Sequence, residues 1–241
     1  LFPYTTLFRS YLTLEDKEID NERGVISEEW RTRRTPGFRI QAQTLPVLLK
    51  GSKYAERDVI GSLDVIKNFE YQTIRDFYHK WYRTDLEAVA IVGDFDVKVM
   101  EEKVKKLFST IPQVKNPAIR PFFEIPDHEE MDYVLATDKE VSSVSISMTT
   151  RFRGHTAEQK NTVAYLKEAL LTSFYNSMLS SRISELMQQE NPPFMGASIG
   201  FGGLVRGYDA YSIRVSPKPN EEALGWEAIL RENERIKRYG F

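Results

Sequence analysis

Apolar residues along this chain follow two spacings, and each spacing marks a different kind of element. Between residues 15 and 34, Ile19, Val25, Ile26 and Trp30 stand among charges in a helical composition, and Pro36-Gly37 ends the run. Residues 38–60 are less regular, with Lys50-Gly51-Ser52 reading as a turn. Helical spacing returns over 62–69 and 71–82, where Ile74, Phe77, Tyr78 and Trp81 follow the i, i+3, i+4, i+7 rule. Residues 86–92 (LEAVAIV) are an apolar run of strand length closed by Gly93-Asp94. Asp96 then reads as the N-cap of a helix over 97–108 whose Val97, Met100, Val104, Leu107 and Phe108 share one face.

The character changes at 110–130. Pro112, Pro117, Pro121 and Pro126 interrupt regular structure and mark a linker. Strands are predicted beyond it at 131–137 and 142–150; in the second, Val144, Ile146 and Met148 alternate with serines, the pattern of a sheet buried on one face. A long helical region covers 157–190, with Ser180-Ser181 as a candidate break. A hairpin is predicted over 194–217, with Tyr211, Ile213 and Val215 alternating on its second strand, and a last helix over 221–239. Antiparallel-looking strands with segregated helices read as α+β, in two domains of 11–111 and 129–241 joined by a linker at 112–128.

Composition narrows the function classes. Lys+Arg number 33 against 35 Asp+Glu, for a net charge of -2, so no basic surplus points to nucleic acid. No run reaches the roughly twenty apolar residues that cross a bilayer as a helix. With no cysteine, disulfides, cysteine-based zinc knots and thiol chemistry are excluded. His79, His128 and His155 are too scattered to form a local metal motif. Residues 1–10 (LFPYTTLFRS) match, residue for residue, the translation of a common sequencing-library adapter, and are expected to be a tail foreign to the fold. The rest reads as an internal piece of a longer reading frame.

The first helix carries carboxylates at the edge of its apolar stripe. At roughly 100° per residue, with Glu22 at zero, Glu29 falls about 20° and Val25 about 60° to one side, and Ile26 about 40° and Trp30 about 80° to the other. Glu22 and Glu29 are therefore expected on the face that the apolar residues bury. A carboxylate there must be ion-paired, protonated or bound to a cation, and the spacing alone favours the ion pair, since structural ion pairs are commoner than metal sites.

Glu22-Arg23-Gly24-Val25-Ile26-Ser27-Glu28-Glu29 resembles the ERxxVxxE segment of the insulinase/pitrilysin family of zinc metallopeptidases. Residues 48–61 (LLKGSKYAERDVIG), 74–82 (IRDFYHKWY) and 90–96 (AIVGDFD) resemble further family segments in the same order. Ser181-Arg182-Ile183 through Leu186, followed by 192–198, resembles a fifth, from the family's second domain. The resemblance implies two similar domains, each with a mostly antiparallel sheet packed on helices, the first the later part of a catalytic domain and the second non-catalytic and truncated. It implies that in the parent protein two histidines of an upstream HxxEH motif, with Glu29 as third ligand, hold Zn2+, and that Glu22 orients a ligand histidine. No HxxEH or HExxH occurs in this chain, and a catalytic zinc needs three protein ligands, so the chain alone is expected to be inactive. The implied partners are a peptide or unfolded-protein substrate and the missing parts of the same polypeptide, with no nucleic acid and no membrane. The implied compartment is the bacterial periplasm. The alternative is a structural or peptide-gripping subunit of the same fold without the metal.

Other candidates read as structural. His79 lies in an aromatic-rich helix, and His128 and His155 in a linker and a turn. Gly200-Phe201-Gly202-Gly203 lies inside the predicted hairpin and lacks the lysine of a phosphate loop. Arg31, Arg33, Arg34 and Arg39 read as the solvated end of the first helix, where positive charge suits the macrodipole.

Overall fold

The computed structural model describes residues 12–241; the adapter-like decapeptide lies outside the described residues. The chain divides into two compact units, one ending at Asp138 and the other running Lys139–Phe241. Helix and antiparallel sheet are both present, which makes the architecture α+β.

The first unit is helical among its described residues: α1 (Asp16–Thr32), α2 (Pro36–Leu48), α3 (Lys53–Glu56), α4 (Leu63–Asn68), α5 (Tyr71–Trp81) and α6 (Val97–Phe108). Local chemistry sets the boundaries. The Thr35, Ser62 and Asp96 side chains accept the backbone N–H groups of Phe38, Val65 and Val99, capping α2, α4 and α6. Helix α2 was expected to be irregular. Pro36-Gly37, read as a stop, is a start, because a proline at N1 gives up no intrahelical bond and Thr35 supplies the cap.

Two segments expected as strands, 86–92 and 131–137, join no ladder among the described residues. Periodicity reports which faces a segment can bury, whereas a strand also needs a neighbour to take its N–H and C=O groups. The proline-rich segment packs back on this unit: Ile125 is buried, Arg83 donates to the Ala118 carbonyl at 2.6 Å, and Phe123 meets Tyr54 edge-on. Arg39 pairs with Asp138 at 2.6 Å, and Gln43 exchanges hydrogen bonds with the backbone of Thr137. Arg39 is thus held by a carboxylate, in place of the solvated position expected for it.

The second unit is built on β1 (Ile146–Arg153), β2 (Gly196–Val205) and β3 (Tyr208–Ser216), antiparallel in the order β1-β3-β2. Ile146 faces Val215 across β1 and β3, Gly196 faces Ser216 across β2 and β3, and a register shift falls at Gly203/Val205. The hairpin was expected; the first strand starts and ends later than the 142–150 predicted. Helices α7 (Ala157–Lys160), α8 (Val163–Met187) and α9 (Glu222–Tyr239) complete the unit. Leu179 and Ile183 of α8, Ile229 and Ile236 of α9, Phe194, and Ile199, Ile213 and Val215 of the sheet form one core. The long helix breaks at Asn161-Thr162, where the Thr162 hydroxyl caps α8. It runs through Ser180-Ser181 because the buried Leu179 and Ile183 anchor it there in the core.

Two polar devices join α8 to its neighbours. Arg182 pairs with the buried Glu232 of α9, which Arg235 also approaches at 3.6 Å. Asn176 accepts the Phe201 N–H at 3.0 Å and donates to the Phe201 carbonyl at 2.9 Å. That approach requires Gly200, since a Cβ there would lie 2.7 Å from the Asn176 oxygen.

Leu179 has no exposed surface, so Leu179→Ala is expected to cost about 3 kcal/mol in urea unfolding of this chain. Leu170→Ala, on the open side of the same helix, is expected to cost less than about 0.5 kcal/mol.

Candidate functional site

Helix α1 carries both acids singled out in the sequence. Acidic residues occupy its first turn and Arg31 its last, as the macrodipole favours. It packs on α4, and the packed side is Ile19, Arg23, Ile26 and Trp30, all buried or half-buried. On the wheel Arg23 falls about 20° from Trp30. Its guanidinium donates to the carbonyls of Ile66 at 2.8 Å and Phe69 at 2.6 Å and stacks over the Phe69 ring at 3.9 Å. The Trp30 indole donates from its edge to Gly61 O at 3.2 Å, and Arg34 stacks over its ring at 3.8 Å. From α5, the Tyr71 hydroxyl donates to Asp20 at 2.7 Å, and Arg75 reaches Leu14 O and Asp16.

This packing turns the acids outward. Glu22 and Val25 are exposed, Val25 at 58%, and the Glu29 side chain is 40% exposed. The expectation that both acids lie on the buried face is therefore corrected for Glu22, whereas Glu29 is half-buried at the border of that face. Orphan carbonyls at the end of α4 call for a donor, which Arg23 supplies and a carboxylate cannot. The helix is rotated so that Arg23 lies inside. Arg23 was missed because a hydrophobic wheel gives an arginine no weight, although its position beside Trp30 was readable.

Glu29 pairs with Arg33 at 2.5 Å, one turn on, and the arginine is largely exposed. Glu22 and Glu29 lie seven residues apart, about 10 Å along the axis, so they act one helical repeat apart rather than as one chelating pair. Among the described residues, no three His, Asp or Glu side chains converge as a metal cluster. One open carboxylate fits a single ligand position of a zinc centre; it does not make the centre. The histidines stand apart: His79 meets Tyr78 edge-on, His128 lies 3.6 Å from Asp132, and His155 lies 3.2 Å from Glu168.

Over residues 68–241 the chain matches the Peptidase M16 inactive domain. It belongs to the M16 peptidase family. The M16 match begins beyond α1, so Glu22 and Glu29 lie ahead of it. Relatives include a probable zinc protease PqqL of Haemophilus influenzae, 34% identical over 72% of this chain and 19% of that protein. A PQQL-like zinc protease of Arabidopsis thaliana is 29% identical over 82% of this chain and 20% of that protein. The chain thus spans about a fifth of the length of these M16 relatives. Among solved structures, the periplasmic protease PqqL from Escherichia coli aligns with a TM-score of 0.74 at 25% identity, over 98% of this chain and 26% of that one. The ferredoxin protease FusC, in complex with Arabidopsis ferredoxin, shares the fold with a TM-score of 0.76 at 24% identity, over 97% of this chain and 26% of that one.

The α1 anchorage yields two expected outcomes. Arg23→Met should cost about 2 kcal/mol in urea, because two carbonyls lose a charged donor, whereas Glu29→Gln should stay within about 0.5 kcal/mol. The second concerns pH. The Tyr71 hydroxyl first, and then Arg23, hold the Asp20 carboxyl below its ordinary range. That contribution is complete above the ordinary carboxylate range and is lost as pH falls through the lowered value. Tyr71→Phe should therefore flatten this part of the acid limb of a stability–pH curve.

Proposed function

We propose that the chain is a segment of an M16 zinc metalloendopeptidase acting on peptides or unfolded proteins, and that Glu29 is the third zinc ligand of the intact enzyme. The observation that carries this reading is the rotation of α1. The Arg23 anchorage leaves Glu29 half-exposed, paired among the described residues with Arg33, the largely exposed C-cap residue of α1. An exposed pair at i, i+4 is worth about 0.3–0.5 kcal/mol, so releasing the carboxylate for another cation costs little.

In this reading α1 is a rigid arm. It presents Glu29 to two histidines of an upstream HxxEH motif, and Glu22, one repeat earlier, accepts a hydrogen bond from the far nitrogen of one of them and fixes its ring. Zinc bound there would polarise the scissile carbonyl and acidify a water, with the upstream glutamate as general base. The periplasm is the proposed compartment, as for the Escherichia coli relative. A second reading, a non-catalytic peptide-binding subunit, draws on the match of residues 68–241 to the family's inactive domain. Reading the parent gene upstream of Tyr11 for HxxEH separates the two.

In the full-length parent, Glu29→Gln should remove bound zinc, measured by atomic absorption, and abolish peptide cleavage while the circular dichroism spectrum stays unchanged. Glu22→Gln should weaken zinc affinity by about 10–100-fold. Stoichiometric zinc and full activity in the Glu29 variant would return Glu29 to its ion pair with Arg33.

A further inference from the structure

Arg33 shares its surroundings with two carboxylates. Its guanidinium meets one oxygen of Glu29 at 2.5 Å, and the arginine side chain is 64% exposed. The same side chain lines a cavity of about 300 Å³ together with Thr35, Phe38, Asp58, Val59 and Ile60. Among the described residues lining that cavity, Arg33 is the one cation and Asp58 the one anion.

Both partners are fixed at the backbone. Arg33 is the C-cap of α1 and donates its N–H to the Glu29 carbonyl at 3.0 Å, and Thr35, two residues on, caps α2. Only the arginine side chain is therefore left to turn. Asp58 opens a tight turn in which the Gly61 N–H donates to the Asp58 carbonyl at 3.0 Å, with Gly61 in the left-handed region at φ 82°. The Gly61 carbonyl takes the Trp30 indole at 3.2 Å, which ties this turn, and Asp58 with it, to α1. The Asp58 side chain is exposed, and one of its oxygens accepts the Ile60 N–H at 3.4 Å.

A zinc ion on the Glu29 carboxylate would sit about 2.0–2.2 Å from its oxygen, within a few ångströms of the guanidinium. A cation so close to a dication is repelled. Arginine stays protonated at working pH, so it does not yield to a metal by losing a proton; it yields by moving. Asp58 is the second carboxylate that the moving group meets.

We propose that Arg33 is the counter-ion that zinc displaces. In the metal-free parent it holds Glu29, and when zinc binds, its guanidinium swings into the cavity and pairs with Asp58. Arg33 and Asp58 are then positioning residues that act through Glu29, and the cavity narrows as the metal loads. The proposal rests on the reading of Glu29 as a zinc ligand and adds to it what becomes of the arginine.

The test is the zinc affinity of the full-length parent, measured by competition with a chromophoric chelator. Four forms are compared, the unaltered enzyme, Asp58→Asn, Arg33→Gln and the double variant, each with an unchanged circular dichroism spectrum. Asp58→Asn should weaken zinc about twofold, the weight of an exposed ion pair, and should have no effect once Arg33 is glutamine. Arg33→Gln should tighten zinc about twofold in the Asp58→Asn background, where the displaced guanidinium has no partner. Equal weakening by Asp58→Asn in both backgrounds would overturn the proposal, because Asp58 would then act through its charge alone. Weaker zinc on Arg33→Gln in the Asp58→Asn background would overturn it in favour of Arg33 as a lasting support of Glu29. Glu29→Gln separates this proposal from the reading beneath it. Zinc kept in that variant sinks the ligand assignment, whereas zinc lost there, with no coupling between Arg33 and Asp58, overturns the exchange alone.

Discussion

Arg23 donates to the carbonyls of Ile66 and Phe69, at the end of a short helix where C=O groups have no intrahelical partner. The guanidinium satisfies them, complements the negative end of the helix dipole, and lays its flat face on the Phe69 ring. This contact fixes the rotation of α1 about its own axis. Ile19, Ile26 and Trp30 follow it inward, and Glu22, Val25 and Glu29 are left on the outer flank. Which face α1 offers to solvent is thus decided by a residue on its opposite side.

Much of this was legible in the sequence, and the losses have physical causes. Caps were readable because they are local: Asp96 accepts the Val99 N–H as its position before an apolar run implied. The hairpin was readable because Tyr211, Ile213 and Val215 alternate over a buried face. Failures came where the outcome depends on a distant partner. Residues 86–92 and 131–137 have strand composition, but ladders are made by two segments, and one-dimensional periodicity sees only one. The acids of α1 were placed inward because the wheel counted hydrophobicity, whereas the deciding interaction was a hydrogen-bond debt at another helix. The resemblance to insulinase and pitrilysin carried the family assignment correctly, since it rested on several ordered segments rather than on one motif.

Helix α8 illustrates the same division between near and far. Apolar residues recur along its whole length among polar ones, so sequence marks it as a helix without saying which side faces the sheet. Leu179 and Ile183 settle that by packing against the strands, and the ion pair of Arg182 with Glu232 ties α8 to α9 across the core. Truncating one partner of such a pair strands a buried charge, which makes the pair a constraint on helix register more than a source of net stability.

Asn176 has a consequence for how the sheet can grow. Its amide takes both the N–H and the C=O of Phe201, the two bonds an opposing residue would exchange in an antiparallel pair. At that point β2 has nothing left to offer another strand, and the helix acts as a false neighbour that ends the ladder. Edge strands are where sheets recruit foreign chains, and natural proteins blunt them. Here the β2 edge is blunted at Phe201 by a single side chain reaching from α8, so a helix side chain takes the place that a strand would occupy at that residue.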